Sequence, residues 1–148
     1  MDLRWDILAG YGPLFAAGVV TTIKLTLVAI LAGLVLGVAF GLISSSASAP
    51  KPRSGTTALL MKLLRGLTTA YVTFFRGTPL FVQILLIHFA VLPLFINPAD
   101  GLLISGETAR SLKQNYGAFI SGVMALTLNA GAYISEIFRA GIQSIDRG

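Results

Sequence analysis

The sequence predicts an all-α fold, a polytopic bundle of helices that crosses a membrane. Of 148 residues, 55% are hydrophobic and 11% are charged, whereas soluble domains carry about 25% charged residues. Three long stretches contain no Asp, Glu, Lys or Arg, namely residues 25–50, 77–99 and 114–135. A helix needs about 20 apolar residues to cross roughly 30 Å of hydrocarbon, and lipid cannot satisfy the backbone of an isolated strand. We therefore predict one transmembrane domain, residues 1–148, with spans near 20–43, 77–96 and 116–135.

The distribution of basic residues predicts how these spans are oriented. Residues 44–75, the first connection, contain four basic residues and no acidic one, whereas residues 97–115 contain two of each. Cytoplasmic loops of membrane proteins carry an excess of Lys and Arg. We therefore expect the first connection in the cytoplasm and the N-terminus outside. The four basic residues are Lys51, Arg53, Lys62 and Arg65.

The last part of the first connection, residues 57–75, is mostly apolar. Lys62 and Arg65 are three residues apart and so share one face of a helix, which predicts an amphipathic interfacial or lead-in helix near 57–75. Gly77, Thr78 and Pro79 follow. Because proline is tolerated in the first turn of a helix but kinks a helix interior, either a new helix starts at Thr78 or a long one bends there.

Three glycines recur at intervals of four residues in the first span. Gly33, Gly37 and Gly41 share one helix face, and a row without side chains lets a second helix approach closely. We expect a helix contact on this face. The alternative is that glycine is simply common in such spans.

Polar residues in the third span form a second pattern. Asn129, Tyr133 and Glu136 are four and three residues apart and share one face, and polar groups at membrane depth face a bundle interior or an aqueous pathway. If the second and third spans run antiparallel, Arg76 reaches the depth of Glu136, and the two could pair. The alternative is a local pair between Glu136 and Arg139, one turn further on.

Several kinds of activity find little support in the sequence. The chain contains no Gly-x-x-x-x-Gly-Lys-Ser/Thr motif, the loop that binds ATP phosphates. It has no cysteine and one histidine, His88, so we expect no metal site and no catalytic residues. The basic residues do not follow one stripe, so we do not expect a nucleic-acid partner.

Two segments resemble a known family. The segment 74–83, FFRGTPLFVQ, resembles the FRGTPL-x-VQ segment of membrane subunits of bacterial polar amino acid ABC importers, the histidine/glutamine/arginine permease family. The segment 129–142, NAGAYISEIFRAGI, is similar to the family's segment leading into its cytoplasmic coupling loop, and residues 18–27 resemble its first span. The resemblance implies the N-terminal three spans of a type I ABC importer transmembrane domain. It also implies that residues 136–148 start the coupling loop and stop before its Glu-Ala-Ala signature.

This resemblance implies a permease subunit rather than an enzyme. Such a subunit forms half of a translocation pathway for polar amino acids in the bacterial inner membrane and works by alternating access. The implied partners are a second permease subunit, identical or different, an ABC ATPase subunit that binds ATP and Mg, a periplasmic or lipid-anchored amino acid-binding protein, and membrane lipid. No cofactor is expected in this chain. The alternatives are a small non-ABC membrane protein, such as a channel or assembly factor, and a non-functional fragment of the permease.

The candidate residues fall into two groups. Asn129 and Tyr133 are expected to line the pathway, with Gln83 and His88 as further candidates; the alternative is that these four only tie helices together. The residues expected to have structural or coupling roles are Arg76, Gly77, Thr78, Pro79, Glu136, Arg139 and Gly141.

Overall fold

A computed structural model describes residues 10–45 and 55–145, which are almost wholly helical. The all-α fold class is therefore confirmed. The basic residues Lys51 and Arg53 and the last three residues, 146–148, lie outside the described residues. The elements are α1 (Gly12–Ser45), α2 (Gly55–Gly77), α3 (Leu80–Leu86), a π-helical turn (Ile87–Val91), α4 (Leu92–Phe95) and α5 (Gly106–Gln143).

Three of the described helices, α1, α2 and α5, are long and apolar enough to cross a membrane. Helix α1 has 34 residues and α5 has 38. At 1.5 Å per residue they are roughly 50 and 57 Å long, so both extend beyond about 30 Å of hydrocarbon. Residues 136–143, expected to start the coupling loop, continue α5 as helix.

Helices α1 and α5 pack in parallel along the glycine row. A Cβ atom built on Gly33 would lie 2.9 Å from Cβ of Ala130, and one on Gly37 would lie 2.5 Å from Cβ of Ile134. The third glycine, Gly41, meets Phe138 in the same way. Both helices advance by four residues from one contact to the next, so they run in the same direction with a constant register. The partner of the glycine row is therefore within this chain.

The segment predicted as one span over 77–96 is not one continuous helix. Helix α2 continues to Gly77, Pro79 lies in an extended conformation before α3, and a π-helical turn separates α3 from α4. In that turn the Leu92 N–H donates to the carbonyl of Ile87, five residues back. Pro93 follows and has no N–H for the Phe89 carbonyl, so regular α-helical pairing could not continue there.

Residues 80–96 run antiparallel to α5. Gln83 bonds to Asn129, His88 bonds to Ser121, and a Cβ on Gly117 would touch Leu92. From one contact to the next, the residue numbers rise along residues 80–96 and fall along α5. Leu92, Ile96 and Ala109 form a small buried core at the far end of this contact.

The outer surface of the bundle is apolar and its helix contacts are made by small residues. Ala29, Ala125 and Ala132 are buried between helices, while large side chains such as Leu31 and Val35 are 63% and 71% exposed. In a soluble protein, by contrast, large apolar side chains are mostly buried. The arrangement seen here is the one expected where lipid covers the large apolar side chains and small residues allow close helix packing.

Candidate functional site

An amide cluster closes the break between α2 and α3. Pro79 has no N–H, so the carbonyl of Phe75 loses the donor it would have four residues later. Nε2 of Gln83 donates to that oxygen at 2.8 Å, and Nδ2 of Asn129 donates to it at 3.1 Å. The same two amides bond to each other, with Nδ2 of Asn129 donating to Oε1 of Gln83 at 3.1 Å. We call Phe75, Gln83 and Asn129 the amide clamp.

The clamp also holds the polar residues of the break. Nε2 of Gln83 lies 2.8 Å from Oγ1 and 3.0 Å from the carbonyl oxygen of Thr78, and the Thr78 hydroxyl donates to the Phe74 carbonyl at 2.8 Å. Gln83 is only 1% exposed. A buried amide must find partners inside the protein, and here both of its polar atoms do. The clamp thus fixes the break of the second segment against α5.

A cleft of about 730 Å³ lies beside the clamp, between α2 and α5. It lies towards the ends of α1 and α5 at which Ser44 and Gln143 are found. Its walls carry most of the ionisable groups of α2 and of the second half of α5. The residues that line it are Ser44, Arg65, Thr69, Val72, Thr73, Arg76, Gly77, Tyr133, Glu136, Arg139 and Gln143.

Glu136 is shared by two arginines on the wall of this cleft. Its Oε1 accepts from Nε of Arg139 at 3.1 Å and also from Nη2 of that residue. Its Oε2 lies 3.8 Å from Nη1 of Arg76, which is an ion pair but too long for a hydrogen bond. The cross-span pair and the local pair predicted as alternatives are therefore both present.

The two arginines differ in how fully their donors are used. Nη1 of Arg139 donates to Oε1 of Gln143 at 2.8 Å in addition to its bonds with Glu136. Arg76 lies over the ring of Tyr133, with its guanidinium carbon 5.4 Å from the ring centroid, a cation–π distance. Within the described residues, Arg76 makes no hydrogen bond through its guanidinium, and its side chain is 42% exposed.

His88 lies in a third place, remote from both the clamp and the cleft. Its Nδ1 is 2.9 Å from Oγ of Ser121, whose hydroxyl donates to the Gly117 carbonyl at 2.8 Å. Because that hydroxyl has one hydrogen, Nδ1 of His88 carries the proton and donates. His88 also borders a smaller cleft of about 350 Å³ with Arg110 and Lys113. Its observed contact ties residues 80–96 to α5.

The predicted pathway residues are thus brought together only in part. Asn129 and Gln83 meet in the clamp, Tyr133 lies in the cleft, and His88 is separate from both. Asn129, Tyr133 and Glu136 share one face of the continuous helix α5, and along this face Asn129 contacts the break while the other two line the cleft. Gly141 has nothing within 4 Å of a built Cβ.

Sequence reasoning missed Tyr71. Its hydroxyl donates to the Leu128 carbonyl at 2.6 Å, and its ring packs against Phe40 at 4.7 Å and Phe75 at 5.0 Å between ring centroids. It thereby joins α1, α2 and α5. The available signal was a single phenolic hydroxyl in an apolar segment, which needs a partner once buried. Among the described residues no group of His, Cys, Asp or Glu could hold a metal ion.

Comparisons with known proteins relate this architecture to one class. No protein-family model matches the chain. It is 33% identical over 131 residues to GlnP of Rickettsia typhi, whose name assigns it provisionally to glutamine transport; the match covers 88% of this chain and 46% of the relative. The arginine transport system permease protein ArtQ of Bacillus subtilis is 31% identical over 148 residues, covering 100% of this chain and 54% of the relative. The glutamate/aspartate import permease protein GltK of Escherichia coli O6:H1 is 31% identical over 147 residues, covering 99% and 55%.

The fold agrees with these relatives. A crystal structure described as an amino acid ABC transporter with histidines matches with a TM-score of 0.61 and 31% identity, over 99% of this chain and 54% of that chain. The chain therefore spans about half the length of the proteins that it matches. In sequence and in fold, it is a homologue of the permeases of amino acid ABC transporters.

Proposed function

We propose that this chain is part of the permease subunit of an ATP-driven importer for polar amino acids, forming half of the translocation pathway by alternating access. The observation that carries the proposal is the charged cleft between α2 and α5 in a chain that is homologous over nearly its whole length to amino acid permeases.

Charged residues in membrane-spanning segments are energetically unfavourable, so their presence in this cleft suggests a function. At the centre of a spanning helix, an Arg, Lys or Asp costs roughly 2.5–3.5 kcal/mol on insertion scales, and ionisable residues within such segments commonly mark substrate pathways. Arg76, Glu136 and Arg139 lie where α2 and α5 leave the apolar segments, and all three line the same cleft. An aqueous pathway for a charged solute explains their presence more simply than packing does.

The amide clamp gives the pathway a defined wall. It holds the break at Pro79 against α5 through Asn129, next to the cleft that Arg76 and Tyr133 line. A rocking motion of α5 relative to α2 would change the cleft and strain the clamp together. We therefore expect the shape of the cleft and the hydrogen bonds of the clamp to change together.

The same proposal places the chain in a bacterial inner membrane with its N-terminus outside. Lys62 and Arg65 of α2 then lie on the cytoplasmic side, where basic residues are favoured, and the cleft opens towards the cytoplasm. A second permease subunit would complete the pathway, and an amino acid-binding protein would deliver the solute from outside. ATP and Mg would bind to a separate ATPase subunit and not to this chain.

Uptake by the complete transporter tests the function. The full-length subunit is reconstituted with its ATPase and binding protein, and ATP-dependent uptake of labelled glutamine, arginine, cystine and glutamate is measured. We expect uptake of at least one of these amino acids. We expect Asn129→Ala to impair uptake while subunit assembly and basal ATP hydrolysis persist. Absence of ATP-dependent uptake of any amino acid, or failure of an ATPase subunit to copurify, would contradict the proposal.

A further inference from the structure

The connection between α4 and α5, residues 96–105, carries two large apolar side chains on its surface. Leu102 and Leu103 are 75% and 76% exposed, and neither belongs to the small buried core at this end of the bundle. Apolar side chains are stabilised when they leave water. The position of the connection relative to the bundle therefore decides what covers the two leucines.

The backbone of this connection folds back along the last turn of α4 instead of extending away from it. The N–H of Leu102 donates to the carbonyl of Leu94 at 2.9 Å, and the N–H groups of Leu103 and Ile104 both donate to the carbonyl of Phe95 at 3.0 Å. These carbonyls are among those that the end of a helix leaves without an intrahelical partner. Leu102 and Leu103 therefore lie level with the end of the apolar segment 80–96 rather than beyond it.

Further hydrogen bonds within the connection hold this reversal of the chain. The N–H of Gly101 donates to the carbonyl of Asn97 at 3.1 Å, and the N–H of Asn97 donates to the carbonyl of Ile104 at 3.2 Å. Nδ2 of Asn97 also donates to Oδ1 of Asp100 at 2.8 Å. A Cβ on Gly101 would collide with the backbone of both Asn97 and Ile104, so the turn is tight. The direction in which the two leucines point is therefore set by the connection itself.

Charged and apolar residues are segregated around the two leucines. Residues 101–106 carry no charge, whereas Asp100 precedes them and the exposed pair of Glu107 and Arg110 follows in the first turns of α5. The apolar exterior of the bundle continues up to the leucines, since Leu94 is 59% exposed. A short apolar stretch flanked by charges, at the end of a lipid-facing surface, matches a membrane boundary, where charged groups lie among the headgroups and apolar side chains enter the acyl chains.

We propose that Leu102 and Leu103 insert into the phospholipid leaflet at the end of the bundle opposite to the cleft. That leaflet is the outer one in the orientation proposed above. Lipid-exposed irregular backbone does not occur within the hydrocarbon region, so the backbone of the connection stays at its boundary and only the two side chains reach the acyl chains. The inference goes beyond the proposed transport function and does not depend on it, because it requires only that this bundle spans a membrane.

The depth of these side chains can be measured by spin labelling. The full-length subunit is reconstituted with its partner subunits in phospholipid vesicles, with Leu102→Cys or Leu103→Cys as its single, nitroxide-labelled cysteine. Accessibility to oxygen, which concentrates among acyl chains, is divided by accessibility to a water-soluble nickel chelate on both sides of the membrane. Ala99→Cys is the matched control, because Ala99 is exposed at the tip of the same connection, and Leu31→Cys marks the middle of the first span. We expect the ratio at 102 and 103 to be several-fold above that at 99 and below that at 31.

Three results would overturn the inference. One is a ratio at 102 and 103 equal to that at 99, which would place the leucines in water. The second is low accessibility to both reagents, in the vesicles alone or only after an amino acid-binding protein is added, because protein rather than lipid would then cover the leucines. The third needs no variant: a lipid-soluble carbene reagent that fails to label residues 101–104 of the unmodified protein in vesicles. Absence of amino acid uptake by the same vesicles would contradict the transport function and leave this inference standing.

Discussion

Replacing Gly37 by alanine should loosen the packing of α1 on α5. The added methyl group would lie 2.5 Å from both Cβ and Cγ2 of Ile134 and 3.0 Å from the carbonyl oxygen of Gly131. Non-bonded carbon atoms pack at about 3.5–4.0 Å, so the helices must separate locally by roughly 1 Å. Cβ of Ile134 is fixed by its backbone and cannot rotate away. Overpacking of this kind costs about 1–3 kcal/mol, and we expect that loss in the free energy of unfolding.

Unfolding of the purified chain in mixed micelles measures this loss. Helix content is followed by circular dichroism as the fraction of denaturing detergent is raised. Gly18→Ala is the matched control, because Gly18 lies on the same helix and a Cβ built on it meets no atom within 4 Å. Its free energy of unfolding should change by no more than about 0.5 kcal/mol in the destabilising direction. Equal effects of the two substitutions would refute the parallel contact between α1 and α5.

Three further substitutions probe the remaining contacts. Gln83→Leu should lower the free energy of unfolding by about 1–3 kcal/mol, because it removes donors from two carbonyls; a change within 0.5 kcal/mol in the same detergent titration would argue against the clamp. Ser121→Ala should cost about 1 kcal/mol by leaving Nδ1 of His88 without an acceptor, and no change in the thermal midpoint would contradict that bond. Gly101→Ala, in the connection between α4 and α5, should lower the thermal midpoint, since a Cβ there would collide with the backbone of Asn97 and Ile104. An unchanged midpoint would contradict this close backbone contact.

The uncharged runs of the sequence were enough to predict the fold class but not the helix ends. A run without charges measures how much of the chain can contact lipid, whereas a helix continues for as long as its backbone hydrogen bonds do. Helix α1 therefore begins at Gly12, well before the predicted start near residue 20, and includes Lys24. Helix α5 likewise extends past the predicted span at both ends.

The segment around 77–96 was harder to predict, because hydropathy does not show where a proline removes a backbone N–H donor. Pro79 left two possibilities open, and the structure has a break followed by a helix that starts at Leu80. Pro93 follows the π-helical turn, which hydropathy could not reveal. Attention to the carbonyl four residues before each proline would have pointed to Phe75 as a group in need of a donor.

Residue spacing predicted part of the candidate site. The shared depth of Arg76 and Glu136 followed from antiparallel spans, and their side chains lie 3.8 Å apart. The pairing of Asn129 with Gln83 could not be predicted, because it depends on which side of the break faces α5. Periodicity places residues on a face of one helix, while the neighbour that meets this face is a property of the whole bundle.

The proposal that the cleft holds water and opens towards the cytoplasm is tested most directly by labelling a single cysteine at its wall. Residues 1–148 contain no cysteine, so Thr73→Cys, in the cleft, and Thr21→Cys, on an exposed face of α1, each introduce one thiol into this part of the protein. A membrane-impermeant maleimide should label Thr73→Cys in inside-out vesicles and not in intact cells. Amino acid at millimolar concentration should slow that labelling. Thr21→Cys should resist labelling from both sides. Labelling of Thr73→Cys from outside alone, or from neither side, would contradict the account.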